Sequence, residues 1–514
     1  MPKIISFIIK HCNSLAFIII GFNILFNAWT ILHNDIIFNS DIARDFLLLN
    51  EISQKKIILI GPRADGIQGL FHGPLWLYLN YPAYYIGHGN PVVVGWFWLI
   101  LTIIFLLVSY IIATKLFNRT VGMIYLTLLS SVMVYYSNNL FNPDGAMFVL
   151  PIFFYFYAMY YKYKKFLYLT LSLLLVGLMI QFQMAIGLPI LILASILTWY
   201  LIIKNKIYSH VLAFLILLLP MSTFILFDIR HNFEQLNSII KSFAGHTIAP
   251  KISLINRMNN RIETMTSQLF FFRDPFSSLN ILLSYFVAYF LLIKLKINSS
   301  HRYLYILFIY FFFGFYLVSL LFNGNLLQFF VYPLIPLVFL FFSSNIHTNN
   351  SKKLFMYLIA IIIIFQIVSS VMYIKGTYKN INFDSSSWQF QHNIALRVFS
   401  SSENSFGYFI YAPDVYGYKQ NYAFMYTKQF FPNKNVTLFK KQRITYVIVE
   451  PIPGNRQDLA SDYLLWKKHK AAFRGNLLST FTYPNGYRIE KYRLTDKEID
   501  APIDSTLLDI IHFR

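Results

Sequence analysis

One cysteine, Cys12, stands in 514 residues, which excludes an internal disulfide and argues against a metal centre built on thiolates. Charge is also scarce. Asp, Glu, Lys and Arg make up 13% of the chain, against 57% hydrophobic and 19% aromatic residues, and the mean hydropathy is +0.53. That balance is too apolar for a soluble protein of this length. Acids are the scarcer charge, 22 against 43 Lys and Arg. Before residue 380 they are Asp35, Asp41, Asp45, Glu51, Asp65, Asp144, Asp228, Glu234, Glu263 and Asp274, and none falls inside an apolar stretch. A carboxylate at mid-membrane costs about 2.5 to 3.5 kcal/mol, a cost that ion-coupled carriers accept for their coupling site. Its avoidance here argues against a proton- or sodium-coupled transporter. Helical-array repeats and inverted symmetry are missing too. No nucleic-acid motif accompanies the net charge of +21, so nucleic acid is not an expected partner.

What the chain does have is long apolar stretches. A spanning helix needs roughly 20 such residues, and about eleven candidates run along the first three quarters. They lie near 12–32, 92–114, 120–140, 145–161, 166–180, 185–203, 207–227, 277–293, 303–322, 327–344 and 354–374. The first lacks a small-residue cleavage pattern and is expected to stay as a helix. Lys and Arg mark the connections 115–119, 162–165, 204–206, 294–302 and 352–353, on the same side as Lys3 and Lys10. By the positive-inside rule that side is cytoplasmic. The N-terminus is then cytoplasmic, while 33–91, 137–143, 228–276, 323–326 and the tail beyond about 373 face outward.

Composition shifts near Lys375, where 376–387 is polar and turn-rich. We therefore expect two domains: 1–374 in the membrane, and 375–514 as an extracytoplasmic α/β or α+β domain. In the second, 408–411 and 444–450 read as buried strands. The stretches 477–483 and 487–492 flank Pro484-Asn485-Gly486, a hairpin turn signal, while 388–399 and 459–470 read as helices. Asn435-Val436-Thr437 matches a glycosylation sequon.

The chemistry-bearing residues gather in the outer loops. Ser40-Asp41-Ile42-Ala43-Arg44-Asp45 opens an expected interfacial helix over 41–53, with Asp41 and Asp45 four apart on one face and Ile42, Phe46 and Leu49 on an apolar flank. A second interfacial helix is expected over 74–86, started by Pro74 and rich in Tyr and Trp suited to headgroups. Between them, a polar turn carries Arg63, Asp65 and His72. Asn142-Pro143-Asp144 lies in the second outer loop, and the loop 228–276 carries Arg230, His231, Lys241, His246, Lys251, Arg257, Arg261 and Arg273. Arginine forks match phosphate oxygens bidentately. Each acid also has a plainer reading. Asp41 or Ser40 caps the interfacial helix, Asp45 pairs with Arg44 or Arg63, Asp144 caps its own helix, His72 is a turn residue, and the 228–230 segment is an interfacial anchor.

Over roughly residues 10–345 these features resemble the GT-C superfamily of integral-membrane glycosyltransferases, in particular the bacterial relatives of protein O-mannosyltransferases and of lipid A aminoarabinose transferase. The resemblance is carried by Ser40-Asp41-Ile42 just after the first helix, where that family has an acidic pair. It continues through Gly61-Pro62-Arg63-Ala64-Asp65-Gly66 and His72-Gly73-Pro74-Leu75-Trp76 in the same loop, Asn142-Pro143-Asp144, Phe227-Asp228-Ile229-Arg230-His231, and Tyr332-Pro333-Leu334-Ile335-Pro336. The second acid of the pair is Ile42 here. Gln328-Phe329-Phe330-Val331 stands where a basic residue often precedes the Tyr-Pro element.

The resemblance implies transfer of a hexose or pentose from a polyprenyl-phosphate donor to a lipid, glycan or protein acceptor on the outer face, with inversion. Asp41 is then the general base and Asp45 its neighbour. Arg230, His231 and Arg63 take the donor phosphate, and Asp144 with His72 takes a divalent ion such as Mg or Mn where one is used. No organic cofactor is expected. The rival reading is a non-catalytic protein, either a translocator of lipid-linked sugar or a membrane scaffold that displays the tail domain.

Overall fold

In the computed structural model, residues 2–64, 67–243, 252–268, 278–296, 300–347, 352–380, 384–412, 416–452 and 463–507 are described. The chain divides into two compact units. One comprises Met1–Trp29, Ile57–Leu79 and Phe97–Ile374. The other comprises Thr30–Lys56, Asn80–Trp96 and Lys375–Arg514.

The first unit is helical, and the apolar stretches of the sequence fall largely on helix. Among the described residues, Pro91–Leu116, Met184–Asn205, Tyr208–Arg230, Arg302–Ser319 and Phe355–Thr377 are long and apolar enough to cross a membrane, and Ser14–Asn27, Phe166–Phe182 and Gln328–Ser344 are shorter apolar helices. Ile100, Ile104, Leu107 and Ile111 recur at helical spacing on Pro91–Leu116 and all lie exposed. A stripe of that kind is sustained by lipid rather than water. The chain is thus a polytopic helical membrane protein.

Local chemistry decides where the helices break. Phe166–Phe182 and Met184–Asn205 part at Gln183, whose backbone is extended. The stretch near 327–344 is not one α-helix: two 3-10 turns, Gln328–Phe330 and Tyr332–Leu334, precede Ile335–Ser344, because Pro333 and Pro336 remove backbone donors. With few charges available, neutral polar groups fasten helices together. The Asn23 amide donates to the Ser130 and Ser131 hydroxyls at 2.9 and 3.0 Å.

The second unit contains a five-stranded mixed sheet: β1 Ser405–Tyr411, β2 Asn435–Leu438, β3 Ile444–Val449, β4 Asn476–Thr482 and β5 Arg488–Arg493. Its order is β2-β1-β3-β5-β4. β1 runs parallel to β2 and β3, with Tyr408 opposite Tyr446, and β5 runs antiparallel to β3 and β4. β1 and β3 are buried on both faces, which is why each reads as an unbroken apolar run. The Pro484-Asn485-Gly486 turn joins β4 to β5, with Gly486 at φ +86°. β2, which takes in the sequon, and the Tyr418–Lys428 helix are additions to the sequence reading. Residues 453–462 lie outside the described residues; the helix expected over 459–470 is seen as Tyr463–His469.

At the start of Tyr418–Lys428, Lys419 and Glu450 form a buried ion pair at 2.6 Å. Gln420 donates to the other Glu450 oxygen and to the Tyr487 hydroxyl at 2.7 and 3.0 Å. Glu450→Gln strands the Lys419 charge and is expected to cost about 3 to 5 kcal/mol, whereas the apolar pair Lys419→Met with Glu450→Leu restores most of it. Thermal unfolding of the full chain, followed by tryptophan fluorescence, checks both.

Candidate active site

The acid helix is Ser40–Lys55, and its cap is neither Ser40 nor Asp41. Asn39 takes the extended cap conformation and accepts the Ile42 N–H at 3.0 Å. With the cap supplied, Asp41 sits in the first turn with its side chain 48% exposed, and Arg44 reaches both acids: Nη1 to Asp41 Oδ1 at 2.8 Å and Nη2 to Asp45 Oδ1 at 3.2 Å. The two carboxylates therefore differ. Asp45 is buried, and its Oδ2 has no hydrogen-bond partner among the described residues. Burial pushes its carboxyl up to about 6, against the pull of Arg44 and with a further push from Asp41. Asp35, a residue the sequence reading passed over, is buried and accepts from the Ser387 hydroxyl and the Ile36 and Gln389 amides at 2.7, 2.9 and 3.0 Å. Burial raises it to about 6 as well, with those three hydrogen bonds opposing.

Asp41 and Asp45 belong to the second compact unit; Arg63, His72, Asp144, Arg230 and His231 belong to the first. In the first, the loop that carries Arg63 and His72 packs on the 227–238 segment. Phe71 lies edge-on to Phe227, with ring centres 5.7 Å apart, and its amide donates to Gln235 Oε1 at 3.1 Å. His231 stacks on Phe227 at 4.1 Å and its Nδ1 lies 2.9 Å from the Phe227 carbonyl. A carbonyl oxygen only accepts, so Nδ1 is the donor in that contact. Asp228 accepts the Gln235 and Leu236 amides at 2.9 and 3.2 Å, capping the Glu234–Phe243 helix across a left-handed turn at Asn232 and Phe233. Arg63, Arg230 and His231 are exposed, and His72 is buried.

Asp144 is fully buried at the start of Asn142–Tyr163, where Oδ2 accepts the Phe141 amide at 3.0 Å and the Tyr332 hydroxyl lies beside the carboxyl. The Asn142 amide donates to the Phe182 carbonyl at 2.9 Å, and Gly73 docks by its N–H on the Gln181 carbonyl at 3.0 Å. A Cβ at Gly73 would overlap the Gln181 side chain. Three of the sequence elements, Asn142-Pro143-Asp144, Tyr332-Pro333 and His72-Gly73-Pro74, therefore meet at the break between Phe166–Phe182 and Met184–Asn205.

Two loop arginines are committed elsewhere. Arg257 Nη1 donates to the Leu320 carbonyl and to Asn323 Oδ1, both at 2.8 Å, and buried Arg261 donates to the Ser319 and Phe322 carbonyls at 3.3 and 2.9 Å. They satisfy the end of Arg302–Ser319, whose last carbonyls have no helical partner. Among the described residues, no group of three or more His, Cys, Asp and Glu is placed to hold a metal ion. Asp65, His246, Lys251, Arg273 and Asp274 lie outside the described residues.

No protein-family model and no curated sequence matches the chain. Solved structures do. A crystal structure of ArnT from Cupriavidus metallidurans bound to undecaprenyl phosphate aligns over 95% of this chain and 99% of that one, with TM-score 0.56 at 9% identity. The apo form aligns over 92% and 98%, with TM-score 0.55 at 11% identity. The oligosaccharyltransferase AglB from Archaeoglobus fulgidus, in complex with an inhibitory peptide and a dolichol-phosphate, aligns over 96% and 75%, with TM-score 0.46 at 10% identity. The fold is that of ArnT, along nearly the whole of both chains.

The raised Asp35 and Asp45 carboxyls have a testable consequence. The folded state keeps protons that the unfolded chain, with its acids near 3.8, has released. Their contribution to stability is therefore complete below about pH 4 and lost as pH rises to about 6, at up to about 1.4 kcal/mol per pH unit for each group. Thermal unfolding from pH 4 to 7 is expected to show this decline, and Asp45→Asn to reduce its slope by one proton.

Proposed function

We propose that this chain transfers a hexose or pentose from a polyprenyl-phosphate donor to a hydroxyl or amine acceptor on the outer face of the membrane, with Asp41 as general base. The observation that carries this reading is the Asp41–Arg44–Asp45 arrangement: one carboxylate half exposed and aimed by an arginine whose other arm is anchored on a buried acid. A base must lie about 2.6 to 3.2 Å from the proton it takes, so an aimed, solvent-facing carboxylate suits the task, and Asp45 is its support. The ArnT-like fold supports the donor class, since that structure is bound to undecaprenyl phosphate.

In this mechanism Asp41 takes the proton from the acceptor as its oxygen or nitrogen attacks the anomeric carbon with inversion. The bond to the lipid phosphate breaks on the opposite side. Charge develops on that phosphate, and Arg230, His231 and Arg63 are the groups we assign to offset it. No step is routed through a metal ion. The reading places the N-terminus in the cytoplasm and residues 375–514 outside. A translocator or scaffold has no use for an aimed, exposed carboxylate.

Asp41→Asn is expected to leave the protein in the membrane and to lower transfer of labelled sugar from a panel of hexose- and pentose-loaded undecaprenyl phosphates by about 10²- to 10⁴-fold. Undiminished turnover would remove Asp41 from the mechanism. The double change Arg230→Ala with His231→Ala is expected to raise the donor KM about tenfold or more, as loss of charge-assisted hydrogen bonds does. Steady-state kinetics on the same donors measures it.

A further inference from the structure

We propose that the C-terminal segment is the mount that aims the acid helix, and that Tyr422 is the positioning residue through which it acts. The proposal rests on the assignment of Asp41 as base. It begins from the placing of Thr30–Lys56 in the same compact unit as Lys375–Arg514. Three kinds of attachment join the two segments.

The first is main chain. Ile37 and Ser387 form an antiparallel bridge, the Phe38 amide donates to the Ser386 carbonyl at 2.5 Å, and the Trp388 amide donates to the Ile36 carbonyl at 3.1 Å. The second is the Asp35 carboxylate. It accepts the Ser387 hydroxyl and the Gln389 amide and so lies at the N-terminus of the Trp388–Ser401 helix, where a negative charge is favoured. The third is aromatic. Phe38 meets Trp388 edge-on at 5.0 Å, and Phe46, the residue after Asp45, meets Tyr422 edge-on at 5.2 Å.

Tyr422 joins several pieces. It is fully buried on the Tyr418–Lys428 helix, which packs along Ser40–Lys55. Its ring lies 5.7 Å from Phe38, and its hydroxyl donates to the Gly89 carbonyl at 2.6 Å, tying in the turn that follows Leu75–Ile86. Ile42, Phe46 and Leu49 bury the mounted face of the acid helix, while Asp41 stays half exposed. A 16-residue helix is marginal alone in water, so its direction comes from such contacts. A misplacement of about 1 Å at a reacting group costs on the order of 10²-fold in rate. The tail then acts on catalysis without touching substrate.

The test uses the full-length chain in lipid nanodiscs and compares Tyr422→Ala with Tyr422→Phe, which keeps the ring and loses the hydroxyl's bonds to Gly89 and Tyr84. Amide hydrogen exchange reads Ser40–Lys55, with Arg119–Tyr136 and Arg302–Ser319 as controls within the same molecule. Transfer kinetics use the undecaprenyl-phosphate sugar that the wild type turns over. For Tyr422→Ala we expect exchange in the acid helix to rise about tenfold or more with the control helices unchanged, and kcat to fall about tenfold or more with the donor KM within about twofold. Tyr422→Phe is expected to recover kcat to within about fivefold of wild type. Unchanged exchange in Ser40–Lys55, or raised exchange with unchanged kcat, overturns the proposal. Should Tyr422→Ala loosen the control helices as well, Tyr422→Leu, which fills the space but loses the ring contacts, decides instead: faster exchange confined to the acid helix with a lower kcat and constant KM supports the mount, and wild-type values refute it. If Asp41→Asn retains full transfer, the base assignment fails, while the exchange comparison still decides whether Tyr422 holds the helix.

Discussion

Hydrocarbon is a poor solvent for charge, and the organisation of this chain follows from that constraint. An ionised side chain at the centre of a membrane helix costs about 2.5 to 3.5 kcal/mol, so acids and bases are driven to helix ends and connecting loops. There they meet a second demand, because the first amides of every helix and the last carbonyls lack partners. Several of the charged groups in the loops answer it. Asp144 takes the Phe141 amide, Asp228 the Gln235 and Leu236 amides, and Asp35 the Gln389 amide. Arg257 and Arg261 take the carbonyls at the end of Arg302–Ser319.

Against that background Asp41 stands out by what it does not do. Asn39 supplies the cap of its helix, so the carboxylate is not consumed in one. Arg44 holds it from one side and is itself held by Asp45, a buried acid with one oxygen unpaired among the described residues. A half-buried pair of this kind costs desolvation on both partners and returns little stability. An arrangement that contributes little to the fold but fixes the direction of one exposed carboxylate is better explained by chemistry than by stability.

Much of the architecture was legible in the sequence because lipid imposes lengths and periods that the residues display openly. The apolar stretches fall largely on helix, and the helices expected over 41–53 and 74–86 are Ser40–Lys55 and Leu75–Ile86. Local ambiguity limited the rest. Asn39, Ser40 and Asp41 are three consecutive good capping residues, and only backbone geometry selects Asn39. β2 is a four-residue polar edge strand, and Tyr418–Lys428 has no clear apolar period, so neither announces itself. The grouping of the acid helix with the C-terminal segment was out of reach altogether. It rests on Phe46 against Tyr422 and Asp35 against Ser387, contacts between residues remote in the chain that leave no local pattern. Sequence spacing therefore found the acids, while packing explained how they are held.

The central claim is that sugar leaves a polyprenyl phosphate and reaches an acceptor through this chain. The most direct measurement is the inventory of lipid-linked sugars and glycosylated envelope products in cells with and without it, by mass spectrometry. The account predicts that one polyprenyl-phosphate sugar accumulates when the chain is deleted and that one glycosylated lipid, glycan or protein disappears. Unchanged levels of every glycosylated product, or a lipid-linked sugar that is redistributed between membrane leaflets without being consumed, would contradict it.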